Sequence, residues 1–243
     1  MSTGLYRWNP KAAPNAVRAI PREGGKQVND VLAAMVLGDG YLEPHGAGVR
    51  LQVNHSQRYR EYVEWKHEVL KEFAPSPIHY CQARYPHWRF VTRTHPRLAA
   101  LRRLFYVDGV KHVPVEIDQW LNTPRALAVY FMDDGTQDKR YGTLRFETQS
   151  FDPESIERLQ RCLGDNFGIQ TRVHRSGLGR GLRLYVSACE AQNVAEMIRP
   201  FLVASMLYKL PCPCNDSSER RMDGSGTCQS HNTPAPSSAG VEI

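Results

Sequence analysis

Two Asp-Gly pairs, each closing an apolar segment, are the residues of this 243-residue chain best placed to carry out a reaction. Asp39-Gly40 ends the segment VLAAMVLGDG, and Asp134-Gly135 ends ALAVYFMDDG. A carboxylate at the C-terminal end of a helix faces the negative end of the helix dipole, which costs about 0.3–1 kcal/mol unless a positive charge lies nearby. Because Mg²⁺ binds carboxylate and carbonyl oxygens, two such helix ends brought together would form a metal site. For either pair alone, a helix ended by glycine is the structural alternative.

The segments that follow the two pairs repeat in the same order and at nearly the same spacing. Arg89 follows Asp39 by 50 positions, and Arg183 follows Asp134 by 49. Each repeat predicts a helix, two strands, a helix, two strands and a helix. The chain is therefore expected to be a duplication whose two halves each contribute one Asp-Gly pair.

Hydrophobic periodicity supports these elements and fixes the fold class. Leu144 and Phe146 alternate with polar residues as in a half-buried strand, whereas Ile156, Leu159 and Leu163 follow the spacing of a helix. The predicted fold is α+β, with two pseudo-symmetric αββαββα halves. The predicted divisions are a basic N-terminal arm at 1–27, a first half at 28–120, a second half at 121–211 and a disordered tail at 212–243.

Charge favours a polyanionic partner and disfavours a membrane. Lys and Arg number 31 against 25 Asp and Glu; residues 211–243 hold four of the acids and two of the bases, so residues 1–210 carry a net charge of +8. The longest apolar run, Val31 to Leu37, is far below the roughly 18 residues that span a bilayer. We therefore expect no membrane association and no secretion signal. Three scattered cysteines, Cys81, Cys162 and Cys189, are predicted to be free thiols.

The two apolar segments resemble the signature helices of a known family. LAAMVLGDG (32–40) and LAVYFMDDG (127–135) are similar to the two motifs of single-chain LAGLIDADG homing endonucleases. TQSF (148–151) and the closing MLYKLP (206–211) look most like the branch that contains the yeast mitochondrial omega-intron endonuclease. The sequence departs from the name-giving pattern at Ala34 and Val129, which replace its Gly, and at Leu37 and Met132, which replace its first Asp.

This resemblance implies a DNA-binding saddle of two antiparallel four-stranded sheets, with the signature helices at a pseudo-twofold axis. It implies that Asp39 and Asp134 are catalytic metal-binding carboxylates, with Gly38 and Asp133 beside them in the metal set. It matches Lys111 in VKHVP and Lys209 in YKLP with basic residues that flank the active site and polarise water or stabilise charge; taken singly, either lysine could be an exposed end of an element.

The implied activity is that of a monomeric, intron-encoded endonuclease that hydrolyses both strands of a long asymmetric duplex DNA. The expected cofactor is Mg²⁺, with Mn²⁺ substituting and Ca²⁺ supporting binding without cleavage. DNA recognition would come from outward-facing strand residues, where Arg recognises guanine and Gln or Asn recognises adenine. The candidates, each of which could instead be an ordinary surface residue, are Arg50, Gln52, Asn54, Arg89, Arg145, Glu147, Gln149, Arg183 and Tyr185.

Three alternatives stay open. A maturase of the same family would bind intron RNA as its partner, and a non-catalytic DNA-binding module would be expected to lack one acid or one lysine. A zinc site at Cys212, Cys214, Cys228 and His231 is disfavoured because Cys-x-Cys is tighter than the usual ligand spacing. The sequence does not determine where the protein is located. It would suit an organelle, with the basic arm as a transit peptide, and a bacterial cytoplasm equally well.

Overall fold

The computed structural model describes residues 26–177 and 181–212. Most of the predicted N-terminal arm and of the predicted tail, including Cys214, Cys228 and His231, therefore lies outside the described residues. By its contacts the chain divides into two units, 1–211 and 212–243. The following description concerns the first unit.

The two repeats share a helix, two strands, a helix, two strands and a helix in the same order, and the first repeat has three further elements at its end. The first contains α1 (Lys26–Leu37), β1 (Tyr41–His45), β2 (Gly48–Ser56), α2 (Arg60–Val69), β3 (His79–Cys81), β4 (His87–Val91), α3 (Pro96–Phe105), β5 (Tyr106–Val107), β6 (Val110–Lys111) and α4 (Ile117–Trp120). The second contains α5 (Pro124–Asp134), β7 (Gly135–Asp138), β8 (Thr143–Phe146), α6 (Pro153–Phe167), β9 (Thr171–Arg175), β10 (Leu182–Val186) and α7 (Ala188–Ile198), and closes with 3₁₀ turns at Arg199–Phe201 and Ala204–Lys209.

Each repeat builds one antiparallel four-stranded sheet, which confirms the α+β prediction. The strand orders are β1-β2-β4-β3 and β7-β8-β10-β9, so the second strand of each repeat pairs with the fourth. Along β2, buried residues alternate with half-buried ones, as predicted. In the second repeat, β8 is four residues long and contains the predicted strand residues Leu144 and Phe146.

A third, two-stranded sheet was not predicted. Strands β5 and β6 form a hairpin whose turn residues, Asp108 and Gly109, have φ values of 49° and 80°. Positive φ at both central residues is the geometry that Asp-Gly favours in a two-residue hairpin turn. The hairpin matters for the site because Lys111 is its last residue.

Helices α1 and α5 pack against each other at the centre of the fold. Every residue from Val31 to Leu37 and from Ala126 to Met132 is buried, as expected for helices that are apolar on all faces. A Cβ atom added to Gly38 would lie only 2.6 Å from the Cβ of Asp133, so the two helices contact each other at their C-terminal ends.

The opposite ends are also linked, since the Thr123 hydroxyl donates to Asp30 Oδ2 at 2.7 Å. Cys81, Cys162, Cys189 and Cys212 are free thiols, in agreement with the prediction for the first three. Among the described residues, no helix has both the length and the apolar character needed to span a bilayer.

Candidate active site

The two Asp-Gly pairs stand at the ends of the two central helices. Asp39 follows α1, whose last turn is closed by the Gly38 and Gly40 N–H groups donating to Ala34 O and Met35 O. Asp134 is the last residue of α5, and the Gly135 N–H closes that helix on Phe131 O. Because α1 and α5 pack together, both carboxylates lie at one end of the helix pair.

The two predicted lysines occupy equivalent positions behind these helix ends. Lys111 Nζ donates to Gly38 O at 2.7 Å and to Gly40 O at 3.1 Å. Lys209 Nζ donates to Met132 O at 2.6 Å and to Asp133 O at 3.2 Å. Each ammonium therefore satisfies carbonyls that the helix leaves unpaired and opposes the negative end of its dipole.

The electrostatics of the site favour a cation. Burial, and then the charges of Asp39 and Asp133, raise the pKa of Asp134 well above its usual value. Burial and the charge of Asp133 also raise the pKa of Asp39, but its side chain is 47% exposed, so solvent screens this charge. Burial lowers the pKa of both Lys111 and Lys209, against the attraction of the aspartates. The two lysines therefore do not cancel the negative charge of the Asp39 and Asp134 carboxylates. Carboxylate oxygens are the ligands that a hard divalent cation prefers.

Asp133 has a different environment from its two neighbours. Its side chain is completely buried, and Lys66 Nζ donates to its Oδ1 at 2.7 Å and its Oδ2 at 3.0 Å. The Tyr62 hydroxyl donates to Oδ1 at 2.9 Å, and the Asp39 N–H donates to Oδ2 at 3.2 Å. Burial alone would raise the pKa of Asp133, but the Lys66 ammonium holds it below its usual value. The Asp133 carboxylate is thus fully engaged within the protein.

A second group of ligand-type atoms lies beside the aspartate pair. One potential ligand atom from each of Asp39, His55 and Asp133 lies within 4.8 Å of those of the other two. The Lys66 ammonium is 2.9 Å from His55 Nε2 and 2.7 Å from Asp133 Oδ1, so a metal bound by these three would face a buried positive charge. This positive charge disfavours a cation there, and the Asp39 and Asp134 carboxylates stay the predicted metal ligands.

Sequence reasoning missed Lys66, His55 and Tyr62, which all approach the helix ends from the first repeat. The sequence contains one indication that Lys66 is buried. It lies four residues after Tyr62 and three after Val63, on the face of α2 that packs against the core. A lysine on the apolar face of an amphipathic helix is rarely buried without a charged partner.

The predicted DNA-contacting residues of the first repeat lie together on one face of its sheet. Arg50, Gln52 and Asn54 are half-buried residues on the same face of β2, and Arg89 pairs with Asn54 across the ladder. Arg89 Nη2 donates to Gln52 Oε1 at 2.8 Å, and Arg50 Nε donates to Glu43 at 2.6 Å. Asn54 Oδ1 has no hydrogen-bond partner among the described residues.

The predicted residues of the second repeat are joined through Glu147. Arg145 Nε donates to Glu147 Oε1 at 2.7 Å, and Gln149 Nε2 donates to Oε2 at 2.6 Å. Arg183 Nε forms an ion pair with Oε2 at 2.6 Å. Tyr185 pairs with Arg145 across the ladder and stacks on His174, with ring centroids 4.4 Å apart. Three of the five candidates therefore contact Glu147 itself.

Comparison with known proteins defines the class to which this fold and site belong. Residues 29–194 match the family described as the LAGLIDADG DNA endonuclease family, and the chain belongs to it. This confirms the resemblance of the two signature helices.

The chain is similar to relatives of several kinds. The chain is 30% identical to DNA endonuclease I-ChuI of Chlamydomonas applanata over 207 residues, which cover 76% of this chain and 94% of that protein. It is 25% identical to the cytochrome b mRNA maturase bI2 of Debaryomyces hansenii, over 76% of this chain and 74% of the maturase. It is 30% identical to protein RecA of Mycolicibacterium chitae over 82% of this chain but spans only 50% of that protein.

The fold is also that of a solved homing endonuclease. The structure of I-WcaI bound to its DNA recognition sequence superposes with a TM-score of 0.68 at 22% identity, covering 77% of this chain and 87% of that one. At 22% identity, this similarity is evidence for a shared fold only.

Proposed function

We propose that this chain is a site-specific homing endonuclease that hydrolyses both strands of a long, asymmetric duplex DNA target with a divalent cation. The observation that carries the proposal is the pair of aspartates at the ends of two packed helices, each backed by a lysine bound to the helix carbonyls. In this proposal, halves 28–120 and 121–211 each contribute one acid, one lysine and one sheet, so that one chain acts as a monomer.

The Asp39 and Asp134 carboxylates would hold the metal, whereas the main-chain oxygens of Gly38 and Asp133, the other predicted ligands, already accept from Lys111 and Lys209. The proposed cofactor is Mg²⁺. Mn²⁺ would substitute for it, whereas Ca²⁺ would support DNA binding without cleavage. When bound, such a cation neutralises phosphate charge and lowers the pKa of a coordinated water. The Asp133 side chain is not part of this set, because Lys66 and Tyr62 occupy it.

Lys111 and Lys209 are placed to stabilise the negative charge that develops on a phosphate during hydrolysis. An ammonium has three N–H donors, and each lysine uses two of them on carbonyl oxygens of its helix end. Among the described residues, no partner is recorded for the third donor of either lysine. Such a donor, held in place beforehand, lowers the cost of charge development.

The two sheets would contact the major groove of the duplex on either side of the cleavage position. Arg50, Gln52, Asn54 and Arg89 would contact one half-site; Arg145, Gln149, Arg183 and Tyr185, organised around Glu147, would contact the other. The two sets differ in sequence, so the target is expected to be asymmetric. The net charge of +8 on residues 1–210 supports binding to phosphate.

A maturase function is the second candidate, because the chain is similar to the cytochrome b mRNA maturase bI2 over most of both lengths. It would make intron RNA the partner and would not require cleavage. The presence of both acids and both lysines favours the endonuclease.

The deciding experiment is Asp39→Asn and Asp134→Asn, assayed on a duplex library whose cleavage products are sequenced. We expect both variants to lose double-strand cleavage in Mg²⁺ and to keep duplex binding in Ca²⁺, because an amide ligates a cation more weakly than a carboxylate does. Asp108→Asn is the matched control, since Asn tolerates the positive φ of the hairpin turn. Either site variant cutting at the wild-type rate would refute the assignment, and specific cross-linking to intron RNA without cleavage of DNA would favour the maturase.

A further inference from the structure

We propose that Lys66 and Asp133 form a buried brace that positions the Asp39 carboxylate and makes the two halves of the active site unequal. This inference rests on the proposed function. The brace crosses between repeats: Lys66 is on α2 of the first, Asp133 is on α5 of the second, and Asp39 follows α1 of the first.

The main-chain link is direct. Asp133 Oδ2 accepts the Asp39 N–H at 3.2 Å, and Lys66 Nζ contacts both carboxylate oxygens of Asp133. The side chains of Lys66 and Asp133 are both 0% exposed, and Tyr62 donates a further hydrogen bond to Oδ1. The orientation of the Asp133 carboxylate, and through it the backbone of Asp39, is therefore set by Lys66 and Tyr62.

His55 provides a second link, to the Asp39 side chain. Lys66 Nζ lies 2.9 Å from His55 Nε2, and His55 Nδ1 lies 3.5 Å from Asp39 Oδ2. An ammonium can only donate, so Nε2 must be the acceptor and Nδ1 must carry the proton. That proton faces the Asp39 carboxylate from the side of the protein interior, at a distance over which the two groups attract electrostatically.

The second repeat lacks this arrangement around Asp134. Gly38, at the position that matches Asp133, has no side chain to accept a hydrogen bond. On the buried helix faces Leu159 of α6 matches Lys66 of α2, and on the buried sheet faces Thr148 matches His55. Leu159 has no polar side-chain group, and the Thr148 hydroxyl donates to Leu182 O at 2.8 Å, so neither can replace its counterpart.

Stability alone does not account for the pair. Replacing a buried ion pair with apolar groups of similar volume is often neutral or stabilising, because desolvation offsets the attraction between the charges. The pair instead fixes the position of the Asp39 main chain. Because Lys66 and Tyr62 bind the Asp133 carboxylate, its third partner, the Asp39 N–H, is held in one place.

The test is the cleavage rate of each strand separately, on a duplex labelled at both 5′ ends. The principal variant is Lys66→Met with Asp133→Asn, which removes both buried charges together. We expect the rate on one strand to fall roughly 10- to 100-fold, as is common when groups supporting a metal ligand are changed, so that nicked duplex accumulates. Duplex affinity in Ca²⁺ should stay unchanged. Leu159→Met, at the matching position of the second repeat, is the control and should leave the ratio of the two strand rates unaltered.

Equal slowing of both strands, or no slowing, would overturn the brace. If the double variant fails to fold, His55→Ala decides the matter, because it removes only the side-chain link; it too should slow one strand more than the other. His55→Gln, whose side-chain amide can donate in place of Nδ1, should restore part of the lost rate.

A readout that needs no cleavage separates this inference from the proposed function. The Asp39 N–H, hydrogen-bonded to Asp133, should exchange slowly with solvent in the wild type and much faster in the double variant, whereas Leu159→Met should not alter it. If wild-type protein leaves every duplex intact, the proposed function fails, yet this exchange still tests the brace. Rapid exchange of the Asp39 N–H in the wild type would refute it.

Discussion

At the scale of single residues, Asp134 bears the least compensated charge of the site. Burial and the neighbouring acids raise its pKa well above its usual value of 3.8. The folded metal-free protein therefore binds a proton that the unfolded chain releases, so this group lowers stability as pH rises from about 4 through its folded pKa. We predict that Asp134→Asn melts at a higher temperature than the wild type at neutral pH without metal, by a few degrees, and that the difference disappears near pH 4.

Differential scanning calorimetry in EDTA between pH 4 and 8 would measure this difference. Asp108→Asn, in the exposed hairpin turn, should show a constant difference over the same range. Added Mg²⁺ should stabilise the wild type and not the Asp134→Asn variant, because only the former keeps both carboxylates. A difference that shrinks as pH rises would contradict the assignment of the charge.

Lys111 and Lys209 should contribute to the rate more than to DNA binding. Replacing either with Met removes a preorganised donor, and losses of this kind reduce kcat by roughly 10²-fold. Single-turnover cleavage and binding in Ca²⁺ would separate the two effects. Lys139→Met, in the turn between β7 and β8, is the control for loss of one positive charge. A uniform loss of affinity with unchanged rate would show that the lysines only attract DNA.

At the scale of elements, Glu147 organises the exposed face of the second sheet. Both of its carboxylate oxygens are engaged, by Arg145 and by Gln149 and Arg183. The sequence suggested that Glu147 itself contacts a base, but in this arrangement it holds the residues that would do so. We predict that Glu147→Gln relaxes base preference at the half-site contacted by the second repeat, at about 1–3 kcal/mol for each bidentate contact that is lost.

Glu43→Gln is the matched variant on the first sheet, where Glu43 binds Arg50. Cleavage of a library randomised at every position should show the two variants relaxing different half-sites. If Glu147→Gln changes preference at one base pair only, Glu147 contacts that base directly and does not organise its neighbours.

At the scale of the whole molecule, the second repeat ends at Pro211. Lys209 binds the end of α5, Leu210 is 4% exposed, and the Tyr208 hydroxyl lies 2.6 Å from that of Tyr59 in the first repeat. We predict that a stop after residue 215 leaves folding and cleavage intact, and that a stop before Tyr208 abolishes cleavage and lowers the melting temperature. The reason is that only the second removes a buried side chain and an active-site lysine.

Melting temperatures and cleavage rates of both truncations, with and without zinc, would test this prediction. Two results would favour the four-ligand zinc site instead. One is unfolding of the chain that stops after residue 215, and the other is a Cys212-dependent rise in the melting temperature of the full chain when zinc is added.

The sequence determined the features that depend on local pattern and on duplication. Alternating and helical periodicities placed Leu144 and Phe146 in a strand and Leu159 in a helix, because which face is buried is a property of the segment itself. The repeated spacing identified Asp39 with Asp134 and Lys111 with Lys209, and the structure brings each lysine to the end of a central helix.

The tertiary structure alone decided which charges are paired. Asp133 stands beside Asp134 in the chain and looked like a further metal ligand, yet its side chain turns inward to Lys66, 67 residues away. Likewise only the folded chain shows that Glu147 contacts Arg145, Gln149 and Arg183. Ionic partners depend on how helices and strands pack in space, and hydrophobic pattern, which fixes only the inner and outer faces of each element, does not specify them.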